Sequence, residues 1–312
     1  RMEWMLIARF VQGIGAASAV VLSRAIVRDI ASGQDAARLM SLLTMIFTAA
    51  PVIAPTFGAL LVAQWGWRAP FIAIAAAACL MIVAIRKNLI ETHEPVVREH
   101  PVRQLVSSFR EFFSHRQSVF GLLLLVLPPA GFLSIIAVSA ALTVEIYGFS
   151  LQAYGLIFAC AGLSILAGSV ANRVLVMHYD QLQLIGLAVS LIFASAAQLA
   201  IIAWLDHAPF WWVWLCVCLF MFTIAILMAN TMVIALDPLP RIAGVASSIV
   251  GTLQNIAGAG GALLGAIIYD GSVRNSVIIM ATVGLLATAI FLMRPLIAPG
   301  PLIHHPDELA RD

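Results

Sequence analysis

Apolar residues run along this chain in long blocks, separated by short clusters of polar and turn-forming residues. A helix rising 1.5 Å per residue needs about 20 such residues to cross a hydrocarbon core of roughly 30 Å. Nine blocks approach or exceed that length, at about 4–27, 39–63, 69–86, 119–146, 153–175, 182–204, 210–236, 242–269 and 276–294. No water is available inside a bilayer to satisfy backbone groups, so each block is predicted to be a transmembrane α-helix. Most connections are short. The exception, 87–118, carries Glu91, Glu94, Arg98, Glu99, Arg103, Arg110, Glu111 and Arg116, and reads as a solvated linker with an amphipathic stretch at the membrane surface. The pattern therefore predicts a three-helix block (1–87), a cytoplasmic linker (88–118), a six-helix block (119–294) and a cytoplasmic tail (295–312).

Composition agrees with this all-α integral membrane reading. Hydrophobic residues make up 62% of the 312, charged residues only 10%, and the mean hydropathy is +1.02. A soluble domain carries roughly a quarter charged residues. The net charge of +2 gives no reason to expect a nucleic-acid partner. Cys79, Cys160, Cys216 and Cys218 all fall in apolar runs without metal-ligand spacing, and read as small buried thiols. No P-loop, dinucleotide-binding glycine pattern or HExxH motif is present. No enzyme, cofactor or metal is therefore expected.

The placement of charge adds sidedness. Thirteen of the 17 basic residues fall in one set of connections, among them Arg24, Arg28, Arg86, Arg116, Arg173 and Arg241. The opposite set holds Arg68 and Arg274, with Arg1 at the start. The positive-inside rule makes the first set cytoplasmic and places the C-terminus inside. All seven tryptophans fall at predicted outer turns or span ends, where indoles prefer to sit. An odd number of spans that begins outside, in a chain whose first residue is Arg1, predicts that helices precede this stretch.

Polar residues inside the spans are the candidates for chemistry. Arg9 lies within the first span, and Gln12, Gly13 and Ala16 share its helical face, with Gly15 nearby. An arginine at the bilayer centre costs at least about 2.5 kcal/mol, and less near the edge. It either occupies a packed polar site or snorkels outward as an anchor. In the second span Pro51 and Pro55 remove backbone donors, while Ala54 and Gly58 keep the surface small. Such a helix is either simply kinked or able to slide against a neighbour. Gly251, Gly258 and Gly265 recur every seven residues in the eighth span, with Gly261 in a GxxxG pair, and predict a close helix seam. Gln254, Asn255 and Asn230 lie at membrane depth and read equally as core hydrogen-bonders or as groups facing a cargo cavity. No acid lies deep inside a span; Glu145, near the outer end of the fourth, either titrates or reaches water.

Several of these stretches resemble a known family. LIARFVQGIGAAS at 6–18 resembles the fourth-helix motif of major facilitator drug:proton antiporters, an arginine followed by QGxGAA. APVIAPTFGALL at 50–61 resembles their fifth-helix antiporter motif; Pro55 and Gly58 match it, whereas Ala54 and Ala59 stand where many members have glycine. VLSRAIVRDI at 21–30, WGWRAPF at 65–71, EIYGFSLQAYGLIFA at 145–159 and ALDPLPRIAGVASSIVGTLQN at 235–255 resemble the Bcr/CflA drug-resistance subfamily. The resemblance implies a major facilitator fold in which the nine spans are helices four to twelve of twelve. It also implies a monomeric carrier in the bacterial inner membrane, exporting small amphipathic drugs of the bicyclomycin or chloramphenicol type in exchange for protons. Arg9 is then implicated in proton coupling, and the helix around Pro55 and Gly58 in antiport. The usual coupling acid would lie outside this stretch, unless Glu145 serves. A same-fold exporter of a metabolite, such as an amino acid or peptide, and a non-transporting or inactive chain are the competing expectations.

Overall fold

A computed structural model of the chain describes residues 2–30, 57–88, 101–205 and 208–300, with Leu39, Leu42, Leu43, Ile46 and Ala54 from the second predicted span. Among the described residues the secondary structure is helical. α1 (Met2–Ile30) covers the first predicted span, and α2 is described over 57–65. Gly66, at φ +80°, ends α2 by giving its N–H to Val62 O, and α3 (Ala69–Asn88) begins at once. A left-handed residue at a helix end favours glycine because a Cβ would clash there.

The linker contains α4 (Pro101–Ser114). The second block follows as α5 (Arg116–Ala141), α6 (Leu151–Leu175), α7 (Gln181–Ile202), α8 (Phe210–Leu236), α9 (Ala243–Ile268) and α10 (Val273–Leu292), with a short α11 (Arg294–Ile297). Seven of the described helices, counted with their flanking turns, are long and apolar enough to span a membrane. They match the third to ninth predicted spans to within about three residues at each end.

α5 is the hub of this block. It packs on α9, α10 and α8, while α7 rests on α8 and α10, and α6 on α8. Lipid is as apolar as leucine, so such helices associate by close packing, which small residues permit. A Cβ built on Gly261 would run into the Ala130 carbonyl oxygen, and one on Gly168 into that of Phe222. On Gly121 it would meet the Ala235 Cβ at 2.6 Å, and on Gly284 the Ala196 Cβ at 2.6 Å. Around these contacts Phe120, Leu124, Phe220, Ile185, Leu199 and Met280 are fully buried.

Three features depart from the sequence expectation. The fourth span is not one regular helix, because α5 gives way to a π-turn at Leu142–Ile146, where Tyr147 N–H reaches Leu142 O. Such wide turns are rare and often lie at functional positions. The linker is not wholly solvated either. Phe112 of α4 is fully buried against Leu122, Leu125, Leu239, Ile249 and Val250, which docks α4 on the end of α5 and α9. Trp214, finally, is not an interface marker like Trp4, Trp65, Trp67, Trp204 and Trp211, which stay exposed. It is only 4% exposed, and its indole N–H donates to Ile157 O at 2.9 Å, tying α8 to α6.

Candidate functional site

Arg9 sits two turns into α1. Its Nη1 donates to Gln12 Oε1 at 2.8 Å, and its guanidinium carbon stands 4.6 Å from the centre of the Phe71 ring. The i, i+3 spacing explains the first contact, and the attraction of a cation for a ring face the second. Phe71 belongs to the first turn of α3, so the arginine reaches toward the end of the helix pair where Trp67 and Arg68 also stack, at 4.4 Å. Phe71 is a partner that one-dimensional spacing does not reveal. Among the described residues, a Cβ on Gly13, Gly15 or Gly58 would meet nothing within 4 Å. Ala54 is helical and exposed; Pro51 and Pro55 lie outside the described residues.

The amides of the second block separate into three environments. Asn230 is 2% exposed, and its Nδ2 donates to Asn172 Oδ1 at 2.7 Å and to Ile226 O at 2.8 Å, so it is committed to the seam between α8 and α6. Gln254 donates to Leu125 O at 3.2 Å and ties α9 to α5. Among the described residues Asn255 bonds back along its own helix, to Gly251 O at 2.9 Å, and is exposed. Asn172 escapes a sequence reading because it stands beside Arg173 at the end of an apolar run, where a polar residue reads as the start of a loop.

α9 therefore has two distinct faces. Gly258, Gly261 and Gly265 form the buried one: a Cβ on Gly258 would fall 2.7 Å from Leu133 Cδ1, and one on Gly265 2.7 Å from Ser134 O. Gly251 does not join them, since a Cβ there meets nothing within 4 Å among the described residues. About a third of a turn away, Ser248, Thr252 and Asn255 form an exposed polar stripe at i, i+4 and i+7, continued by Ala259. A hydroxyl and amide stripe on a membrane helix supplies donors and acceptors along a path without introducing charge.

Glu145 lies in the π-turn and is exposed. It faces the turn after α9, where burial first, then the charges of Glu145 and Asp270, push the Tyr269 phenol above its ordinary range. Asp270 is held below the usual carboxylate range, chiefly by its side-chain hydrogen bond with Ser272. Its Oδ1 also accepts the Ser272 N–H at 3.0 Å. Among the described residues no group of three metal-ligating side chains comes together.

The sequence profile of the Major Facilitator Superfamily matches residues 2–262. The chain belongs to the Major Facilitator Superfamily. This superfamily member is thus a transporter-family protein and a multi-pass membrane protein. It is 26% identical over 278 residues to a bicyclomycin resistance protein homolog of Haemophilus influenzae, covering 88% of this chain and 69% of that one. It is 32% identical over 186 residues to the chloramphenicol resistance protein CraA of Acinetobacter baumannii, covering 59% of this chain and 44% of the relative. Multidrug resistance protein D of Escherichia coli is 26% identical over 293 residues, with 92% and 72% covered. A solved structure of a bacterial homolog of the human lysosomal transporter Spinster, inward-facing and unoccupied, superposes with a TM-score of 0.63 over 88% of this chain and 74% of that one. At 12% identity the likeness shows a shared fold.

Proposed function

We propose that this protein exports small amphipathic drugs across the bacterial inner membrane in exchange for protons. The observation that carries the reading is similarity along 88% and 92% of the chain to relatives named for drug resistance. The local chemistry supports it. In this reading Arg9, steadied by Gln12 and Phe71, is the coupling cation of the first block. The helix around Pro51, Ala54, Pro55 and Gly58 supplies the sliding surface. Ser248, Thr252 and Asn255 line the route through the second block, and Glu145 is the carboxylate able to take a proton near the outer end. Cargo and protons exchange by alternating access, as the two blocks rock about a shared path, with the linker and the C-terminus in the cytoplasm.

The test is efflux from cells or everted vesicles. Export is expected to stop when the proton gradient is collapsed; export that continues unchanged overturns antiport. Arg9→Ala and Arg9→Lys are both expected to lose gradient-driven efflux, by at least about tenfold, because an ammonium lacks the planar guanidinium that both bonds Gln12 and stands over the Phe71 ring. A lysine variant with normal efflux would reduce Arg9 to an anchor.

A further inference from the structure

The linker helix α4 and the first half of α9 form the walls of a half-open cavity of about 250 Å³. Leu105 and Phe109 form its α4 wall. Val245, Ile249 and Leu253 form the apolar part of the α9 wall, with Ser248 and Thr252 between them. These five α9 positions follow the spacing i, i+3, i+4, i+7 and i+8, so a single helix face makes that wall. α4 is held over it at two points: Phe112 is fully buried in the core below, and Glu111 reaches the Arg241 guanidinium at 3.5 Å.

We propose that this cavity binds an uncharged, compact amphipathic molecule, a ring system carrying a hydroxyl or amide donor, at a site distinct from the Arg9 cluster. None of the lining side chains ionises, so the walls offer hydrogen bonds and apolar contact but no ionic partner to a charged ligand. Ser248 Oγ donates its own proton to Gly244 O at 2.9 Å, which leaves the oxygen lone pairs free to accept a donor from the cavity. The volume lies just under the roughly 300–1,000 Å³ of common ligand pockets, which suits a compact molecule. Ser248 and Thr252 also begin the polar stripe that continues to Asn255, so a molecule leaving along the first half of α9 meets hydrogen-bonding groups. The site is then where cargo is first captured from the linker side. That role rests on the exporter reading; the binding itself does not.

The experiment uses the protein in lipid nanodiscs, a diazirine analogue of chloramphenicol as the probe, and peptide mapping after irradiation. Label is expected on 101–114 and 243–254, and excess chloramphenicol should displace it. Leu105→Trp fills the cavity and should lower that label at least tenfold. Val106→Trp, on an exposed part of α4 outside the cavity, should leave it unchanged. Ser248→Ala, which barely alters volume, should lower it severalfold and so guards against a folding defect in the tryptophan variant. Label that falls elsewhere, or that ignores both Leu105→Trp and Ser248→Ala, overturns the site. Efflux measured in parallel separates the two readings. Specific cavity label without efflux in the unaltered protein removes the exporter reading and keeps the site. Efflux without cavity label does the reverse.

Discussion

Asn230 and Asn255 are the same residue type on neighbouring helices of one block, yet their environments differ. Asn230 has almost no exposure and gives both amide protons away, to Asn172 and to Ile226 O. Asn255 is exposed and, among the described residues, bonds within its own helix. Sequence depth treats them alike, because neither periodicity nor hydropathy states which neighbour a face meets. The Asn172–Asn230 bond joins α6 to α8 where Gly168 already brings the two backbones together. Replacing Asn230 with leucine leaves the Asn172 amide without its partner, and is expected to cost about 1 kcal/mol, within the range for interhelical hydrogen bonds in membranes. The double variant Asn172→Leu/Asn230→Leu should lose less than the sum of the single ones. Thermal melts in detergent read this directly; strictly additive losses would mean that the two amides do not interact.

Among the elements, α9 shows how one helix serves two purposes. Its glycine face allows α5 to approach until the Ala130 carbonyl lies where a Cβ on Gly261 would be, while Ser248, Thr252 and Asn255 stay exposed, the first two in the wall of the α4–α9 cavity. The seven-residue repeat Gly251–Gly258–Gly265 suggests one continuous seam. The structure ends that seam at Gly258, because the buried arc nearer the start of α9 is made by Ala246, Ile249 and Val250 against the α4 end of the core. Gly261→Leu is therefore expected to separate α5 from α9 and to prevent recovery of a folded, monodisperse protein. Gly251→Ala should be neutral, or stabilising by up to about 1 kcal/mol through helix propensity. Size-exclusion profiles and melting temperatures of the two variants make the comparison. Equal behaviour would place both glycines in the same environment, against the geometry. α4 makes a similar point: its amphipathic pattern is plain in the sequence, but only Phe112 sinking into the bundle shows that part of its apolar face meets protein.

For the whole molecule, the arginine bias predicts that the α6–α7 turn is cytoplasmic and the α7–α8 turn external. Tyr179 and Trp204, exposed at those two turns, are suitable probes. A membrane-impermeant maleimide added to intact cells is expected to label Trp204→Cys at once, and Tyr179→Cys only after the membrane is opened. The reverse pattern would invert the topology, and with it the proposed direction of transport. The π-turn that carries Glu145 and the turn that carries Asp270 then face the outside together, while the α4–α9 cavity faces the cytoplasm. This arrangement puts the Glu145 carboxylate and the α4–α9 cavity at opposite ends of one six-helix block.

Hydropathy and charge placement along the chain by themselves determined that this is a multi-pass helical membrane protein and gave the approximate limits of its third to ninth predicted spans. These properties follow from transferring each side chain between water and lipid, a cost that is summed locally along the chain. The family motifs were legible because each consists of residues adjacent along the chain. Tertiary structure alone decided which polar residue is sealed and which is free, as Asn230, Gln254 and Asn255 show. It also decided that Trp214 belongs to the core, that α4 is docked, and that Arg9 stands over Phe71. Each of those outcomes depends on which helix face meets which neighbour. Lipid and a neighbouring helix are almost equally apolar, so hydropathy cannot tell them apart, and close packing chooses between them.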